Sequence, residues 1–291
     1  MKIKLMALLL LVISCAMQSD KPAYLLFDKN GKMSSYEKLL NDASNADIVL
    51  FGEMHDNPIC HWLQLELCKD LYKTKKDQLV LGAEMFETDN QLLLDEYISG
   101  KIKAGNFEAE AKLWPNYKTD YKALVEFARK NKIPFIATNI PRRYASLVNK
   151  SGFEALETLS KEAKSLMVPL PFDYNADLNC YKQMLKTDSS SMGASSHITP
   201  NLPKAQAAKD ATMAHFILKN FNKGNTFLHF NGSYHSDDFE SMVWYLKEAK
   251  PKLKILTISS IEQETIDTLS KENFNKADYI LCIPESMSKT H

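Results

Sequence analysis

Seven short apolar runs punctuate the chain, at residues 24–27, 48–51, 79–83, 135–138, 226–230, 253–258 and 279–283. Most are continuous rather than alternating, as expected for strands covered on both faces. Helical spacings stand between them. Asp56-Asn57-Pro58 offers a cap and a first-turn proline, and Ile59, Leu63, Leu67 and Leu71 follow at four-residue intervals. Ser236-Asp237-Asp238 offers a cap and acids at a helix start, with Phe239, Met242, Val243 and Leu246 behind it. This alternation predicts an α/β fold with a mainly parallel, doubly wound sheet flanked by helices.

The middle of the chain breaks the rhythm. Residues 139–220 read as almost wholly helical, interrupted by Pro169-Leu170-Pro171 and by the polar stretch 187–200. That stretch contains Ser-Ser-Ser and has the composition of a mobile loop. A helical insertion over about residues 140–222 is therefore expected within a single domain spanning 22–291. It would form a helical cover over the C-terminal ends of the strands, where ligands of open α/β sheets bind.

Two of the apolar runs end in the same device. Residues 48–51 lead into Gly52-Glu53-Met54-His55, and residues 226–230 lead through Asn231 into Gly232-Ser233-Tyr234-His235. Each reads as strand, Gly-x-x-His, helix. The glycines would let the backbone turn sharply and approach a ligand closely. One such motif is a strand–helix turn that happens to hold a histidine. Two of them make His55 and His235 candidates for a shared site.

Other polar residues sit where apolar ones would be ordinary. Glu84 closes the third run and needs a partner if buried. Asn139 closes the fourth, and Arg142 and Arg143 follow, able to hold carboxylates or phosphates in bidentate fashion. Gln206, Asp210 and Met213 form a stripe at i, i+4 and i+7 among alanines, which predicts a buried polar network. Two histidines with one or two acids would suit a divalent transition metal, here His55, Glu84 and His235, able to activate water. Glutamate and histidine could equally act as an acid–base pair without metal.

Composition adds limits. With 36 basic and 36 acidic residues the formal charge is zero, which gives no electrostatic reason to expect nucleic acid as a partner. Met1-Lys2-Ile3-Lys4 and the apolar residues 5–13 read as a signal peptide of about residues 1–14, too short to span a bilayer. Val12-Ile13-Ser14-Cys15 resembles a bacterial lipobox, which marks Cys15 for lipidation and residues 15–21 as a tether. A location in the bacterial cell envelope, anchored to a membrane, is expected. Of the remaining cysteines, Cys60 and Cys68 sit too far apart along a helix to bridge, and all four are expected as thiols.

Taken in order, Gly52-Glu53-x-His55-Asp56-Asn57, Ala83-Glu84-Met85-Phe86-Glu87, Thr138-Asn139-Ile140-Pro141-Arg142-Arg143, Ala205-Gln206-x-x-x-Asp210-Ala211-Thr212-Met213-Ala214 and Asn231-Gly232-x-x-His235 resemble the ChaN family. These are haem-binding lipoproteins in a superfamily with the Tiki metalloproteases and the erythromycin esterases. The resemblance runs over about residues 46–247. It implies haem bound for iron acquisition with a tyrosine on the iron, two haems stacked between two subunits, and an outer-membrane haem receptor as partner. Tyr174 is the first choice for the iron ligand and Tyr234 the second, because a phenolate suits ferric haem. Arg142 and Arg143 would meet propionates, with Asn139, Gln206, Asp210 and Met213 around the ligand and Met192 as a possible apolar contact. The Tiki and esterase relatives imply a second reading, hydrolysis carried by Glu53, His55, Glu84 and His235.

Overall fold

The computed structural model describes residues 21–186 and 199–290. The signal segment, Cys15 and Met192 lie outside the described residues. Eight strands form one sheet: β1 (Leu25–Asp28), β2 (Met33–Ser34), β3 (Ile48–Glu53), β4 (Leu79–Glu87), β5 (Phe135–Asn139), β6 (Thr226–Gly232), β7 (Ile255–Gln263) and β8 (Tyr279–Pro284). Their order is β2-β1-β8-β7-β3-β6-β4-β5. From β8 to β5 every pairing is parallel. Only β1 runs antiparallel, against β8 and β2. Each of the seven apolar runs becomes a strand. The extra one, β2, is two residues long and is held by a turn at Gly31, where φ is 78° and Asp28 Oδ1 accepts the N–H groups of Asn30 and Lys32.

Alternate residues of β3 show why its sequence is apolar throughout. Val49 and Phe51 join one core layer with Leu63, Leu67 and Leu71 of the helix Pro58–Lys75. Ile48 and Leu50 join the other, with Met213 and Ile217 of the helix Leu202–Asn220 and Met242 and Leu246 of the helix Met242–Ala249. The helix Pro58–Lys75 starts as its sequence predicts, with Asn57 Oδ1 accepting the Ile59 N–H at 3.0 Å and Pro58 in the first turn. Cys60, Cys68, Cys180 and Cys282 are free thiols.

Two local expectations fail. Ser236-Asp237-Asp238 does not cap a helix, because Asp238, Phe239 and Ser241 all take positive φ (58°, 58° and 52°). The helix begins later, at Met242, and Phe239 is exposed rather than in the core. Residues 139–220 are also less helical than expected. Among the described residues, α-helices cover Arg142–Ser151, Lys161–Lys164, Asn179–Met184 and Leu202–Asn220, a 3₁₀ helix covers Phe153–Thr158, and residues 165–178 carry no regular helix. No helix among the described residues is long and apolar enough to cross a membrane.

Candidate functional site

At the C-terminal ends of β3, β4 and β6 the structure brings His55, Glu84 and His235 together. Strand β3 delivers Glu53, whose Oε1 accepts His55 Nδ1–H at 2.8 Å. A carboxylate only accepts, so the second imidazole nitrogen, Nε2, carries no proton when the ring is neutral. Tyr121 also donates to Glu53 Oε1, at 2.6 Å, and Gln64 Nε2 donates to Oε2 at 2.5 Å. Glu53 is thus buried with three partners. Burial would push its carboxyl up, but the hydrogen bond from His55 and the charge of His61 outweigh it and hold it below the usual value.

Strand β4 delivers Glu84. Its Oε2 accepts the Gly232 N–H at 2.8 Å, and its Oε1 meets His235 Nε2 at 3.0 Å. On the other side of that ring, His235 Nδ1 meets Asp210 Oδ1 at 2.5 Å, and Tyr181 donates to Asp210 Oδ2 at 2.9 Å. Gln206 Nε2 lies 3.0 Å from His235 Nδ1. The network predicted from Gln206 and Asp210 therefore exists, with Tyr181 added. Met213 is not part of it. One turn farther along the helix, it is fully buried against Ile48, Leu50 and Phe227.

His235 thus sits between two buried carboxylates. Burial alone would depress its pKa, but Glu84 and then Asp210 overcome that and raise it to about 9. Glu84 is pushed up by burial, yet the His235 charge and hydrogen bond carry it well below the usual carboxylate range. Asp210, equally buried, is pushed up. The sign for stability follows. Because the folded His235 pKa lies above the ordinary 6.5, its contribution is complete below pH 6.5 and is lost as pH rises through about 9. Urea unfolding should show stability falling by up to about 3 kcal/mol between pH 7 and 10. A His235→Ala variant with the same slope would show that another group titrates.

Of the two roles expected of the twin glycines, a sharp turn and close approach, the structure shows the second, against protein atoms. Neither is in the positive-φ region. Both are needed for close approach. A Cβ on Gly232 would lie 2.8 Å from His55 Nε2 and 3.6 Å from Glu84 Oε2. A Cβ on Gly52 would lie 2.8 Å from both Ile258 O and Ser233 Cα. The second motif thus supplies the floor against which the imidazole of the first is placed. His55 Nε2 faces this floor, with Glu84 raising the His55 pKa after the Glu53 hydrogen bond and against burial.

As arranged, these side chains pair with one another. Both ring nitrogens of His235 and both oxygens of Glu84 are engaged, and among the described residues no three His, Cys, Asp or Glu side chains are grouped to hold a metal ion. Asn139 lies beside them. Its Nδ2 donates to the Glu84 carbonyl at 3.1 Å, and its Oδ1 is buried without a partner.

A cleft of about 830 Å³ opens beside His55. Leu113, Trp114 and Pro115 give it an apolar wall, and Lys112, Arg142 and Arg143 line it as well. Trp114 meets the His55 ring edge-on at 4.8 Å between centroids. Arg143 is held by Asp89 at 2.5 Å and stacks on Tyr144, whereas Arg142 is exposed and forms no ion pair among the described residues. Neither predicted tyrosine reaches the cleft. Tyr174 packs on Phe153 and Tyr181, and the Tyr234 hydroxyl donates to the Cys180 carbonyl. Tyr234, in the middle of its motif, turns away from the face that His235 occupies.

Sequence reasoning missed Tyr121, Gln64, Tyr181 and Trp114. Gln64 had a signal, since it is a polar residue among the buried Cys60, Leu63, Leu67 and Cys68 of one helix. The two tyrosines and Trp114 had none, because they reach the site from segments far away in sequence.

The paired imidazole–carboxylate arrays stand at the carboxyl edge of a parallel α/β sheet, the edge at which ligands of open α/β sheets bind. The family can be named more closely. A model described as haem-binding uptake, Tiki superfamily, ChaN, matches residues 39–246, and the chain belongs to this family. Among solved structures it is similar to ChaN of Campylobacter jejuni, described as binding haem cofacially, with 20% identity and a TM-score of 0.67 over 89% of this chain and 96% of that one. It is also similar to an erythromycin esterase mutant in an open conformation, with 11% identity and a TM-score of 0.53 over 88% of this chain and 94% of that one. At these identities the likeness is one of fold. No curated protein matches the sequence.

Proposed function

We propose that the protein binds haem in bacterial iron uptake, seated in the cleft beside His55. The cleft itself carries the reading. Haem pairs a flat apolar ring with two carboxylates, and this cleft pairs the Leu113-Trp114-Pro115 wall with Lys112, Arg142 and Arg143. Arg142, which has no ion pair among the described residues, is the residue we assign to a propionate. Bound haem would supply iron as cargo. The chain's own part is to cover the ring, pair the propionates and hold His55 through Glu53.

Titration with hemin should give a saturable Soret band. Arg142→Ala with Lys112→Ala should weaken binding about tenfold or more. Tyr174→Phe and Tyr234→Phe should leave the band unchanged, because neither residue lines the cleft. No saturable change in the wild type sinks the proposal. Lipidation at Cys15, a place in the cell envelope, transfer to an outer-membrane receptor and haem stacking across a homodimer complete the reading, supported by the lipobox and the family.

A specific observation favours a second reading. The assembled Glu53–His55 pair and the Asp210–His235–Glu84 chain are more than a haem cleft requires. A hydrolase would use His55 as base, oriented by Glu53. Turnover in ester and peptide panels, abolished by His55→Ala, would establish it.

A further inference from the structure

The opposite pole of the sheet holds a second cleft. Strands β3, β6 and β7 begin at Ile48, Thr226 and Ile255. Just before those starts, Asp47, Lys223 and Lys252 border a cavity of about 530 Å³ together with Phe221, Lys250, Pro251 and Leu253. It lies at the other end of the strands from Glu53 and His235, so it shares nothing with the site described above.

Its lining has two parts. Phe221, Pro251 and the buried Leu253 give an apolar floor. Lys223, Lys250 and Lys252 give an exposed cationic rim, and none of the three is in an ion pair among the described residues. Lys250 Nζ stands 5.7 Å above the Phe221 ring, which ties rim to floor. The one carboxylate in the lining, Asp47, is already engaged, because its Oδ2 accepts the Lys254 N–H at 2.9 Å. Ordinary surface lysines are scattered or paired with acids. Here three converge, unpaired, around an apolar hollow of the size that takes small organic ligands.

We propose that this cleft binds an anionic amphiphile, a phosphate or carboxylate head on a short apolar body. The head sits among Lys223, Lys250 and Lys252, and the body lies on Phe221, Pro251 and Leu253. Such a ligand could be free in solution or be the headgroup end of a lipid.

Calorimetric titration of the full-length protein with decyl phosphate tests the site, with decyl maltoside as the uncharged counterpart. Sedimentation with phosphatidylglycerol vesicles tests the bilayer source. Decyl phosphate should bind saturably, and decyl maltoside should bind much more weakly. The triple variant Lys223→Gln, Lys250→Gln and Lys252→Gln should weaken binding about tenfold or more. Phe221→Ala should weaken it too. A control that changes Lys32, Lys101 and Lys103, likewise exposed and outside ion pairs, to Gln should not. Binding of decyl phosphate assigns the ligand to solution. Retention on vesicles alone, lost in the triple variant, assigns it to a bilayer. The proposal is overturned by equal binding of decyl maltoside, by equal loss in the control, or by binding in neither format.

Discussion

His235→Ala should lower the unfolding free energy by about 3–5 kcal/mol, the usual cost of removing one partner from a buried charged cluster. His235 is 4% exposed, and its ring is clamped by Glu84 on Nε2 and Asp210 on Nδ1, both of them buried. Deleting it leaves two carboxylates close together with no cation between them. Tyr181 and the Gly232 N–H still serve one oxygen each, but neither carries charge. Urea unfolding at pH 6 measures the loss. A triple variant that adds Glu84→Gln and Asp210→Asn should be more stable than the single change, because both stranded charges are gone. If the triple variant is no better, the cost came from the cavity and not from electrostatics.

How much of this was legible in the sequence depended on whether a residue's partners were local. The strands were legible because burial on both faces leaves an unbroken apolar run, as at residues 48–51 and 226–230. The convergence of His55 and His235 was legible because the same device ends both strands, and β3 and β6 prove to be direct parallel neighbours, with Glu53 opposite Gly232. The stripe at Gln206 and Asp210 was legible because polar residues on an alanine face must be answered by something. It overreached at Met213, where three further residues carry the helix from the strand ends into the apolar layer. The helix start after His235 was misread because capping residues were present, whereas the backbone there uses left-handed residues to turn first. The two tyrosines singled out in the sequence stand away from the cleft beside His55. A motif gives position along the chain, and the 3₁₀ turn Ser233–His235 buries His235 while leaving Tyr234 exposed.

The glycines yield the sharpest contrast, since the same substitution should act by opposite routes. At Gly52 a methyl group would press on Ile258 O and Ser233 Cα, both backbone atoms of neighbouring segments, each at 2.8 Å. Backbone cannot swing aside, so Gly52→Ala should destabilise the protein by about 1–3 kcal/mol, the range for overpacking a filled interior. At Gly232 the methyl would meet His55 Nε2, the far end of a side chain that is 43% exposed. That ring can rotate outward by giving up its bond to Glu53. Gly232→Ala should therefore change stability less than Gly52→Ala while removing His55 from its place opposite Glu84. The His55 ring signal, followed by nuclear magnetic resonance through a pH titration, reports that displacement directly. Its pKa should fall from the raised value of the wild type toward the ordinary 6.5, because the Glu53 hydrogen bond and the Glu84 charge that raise it would both be lost. An unmoved His55 pKa in Gly232→Ala, or a Gly52→Ala protein as stable as the wild type, would show that the two strand ends are not packed as tightly as the site requires.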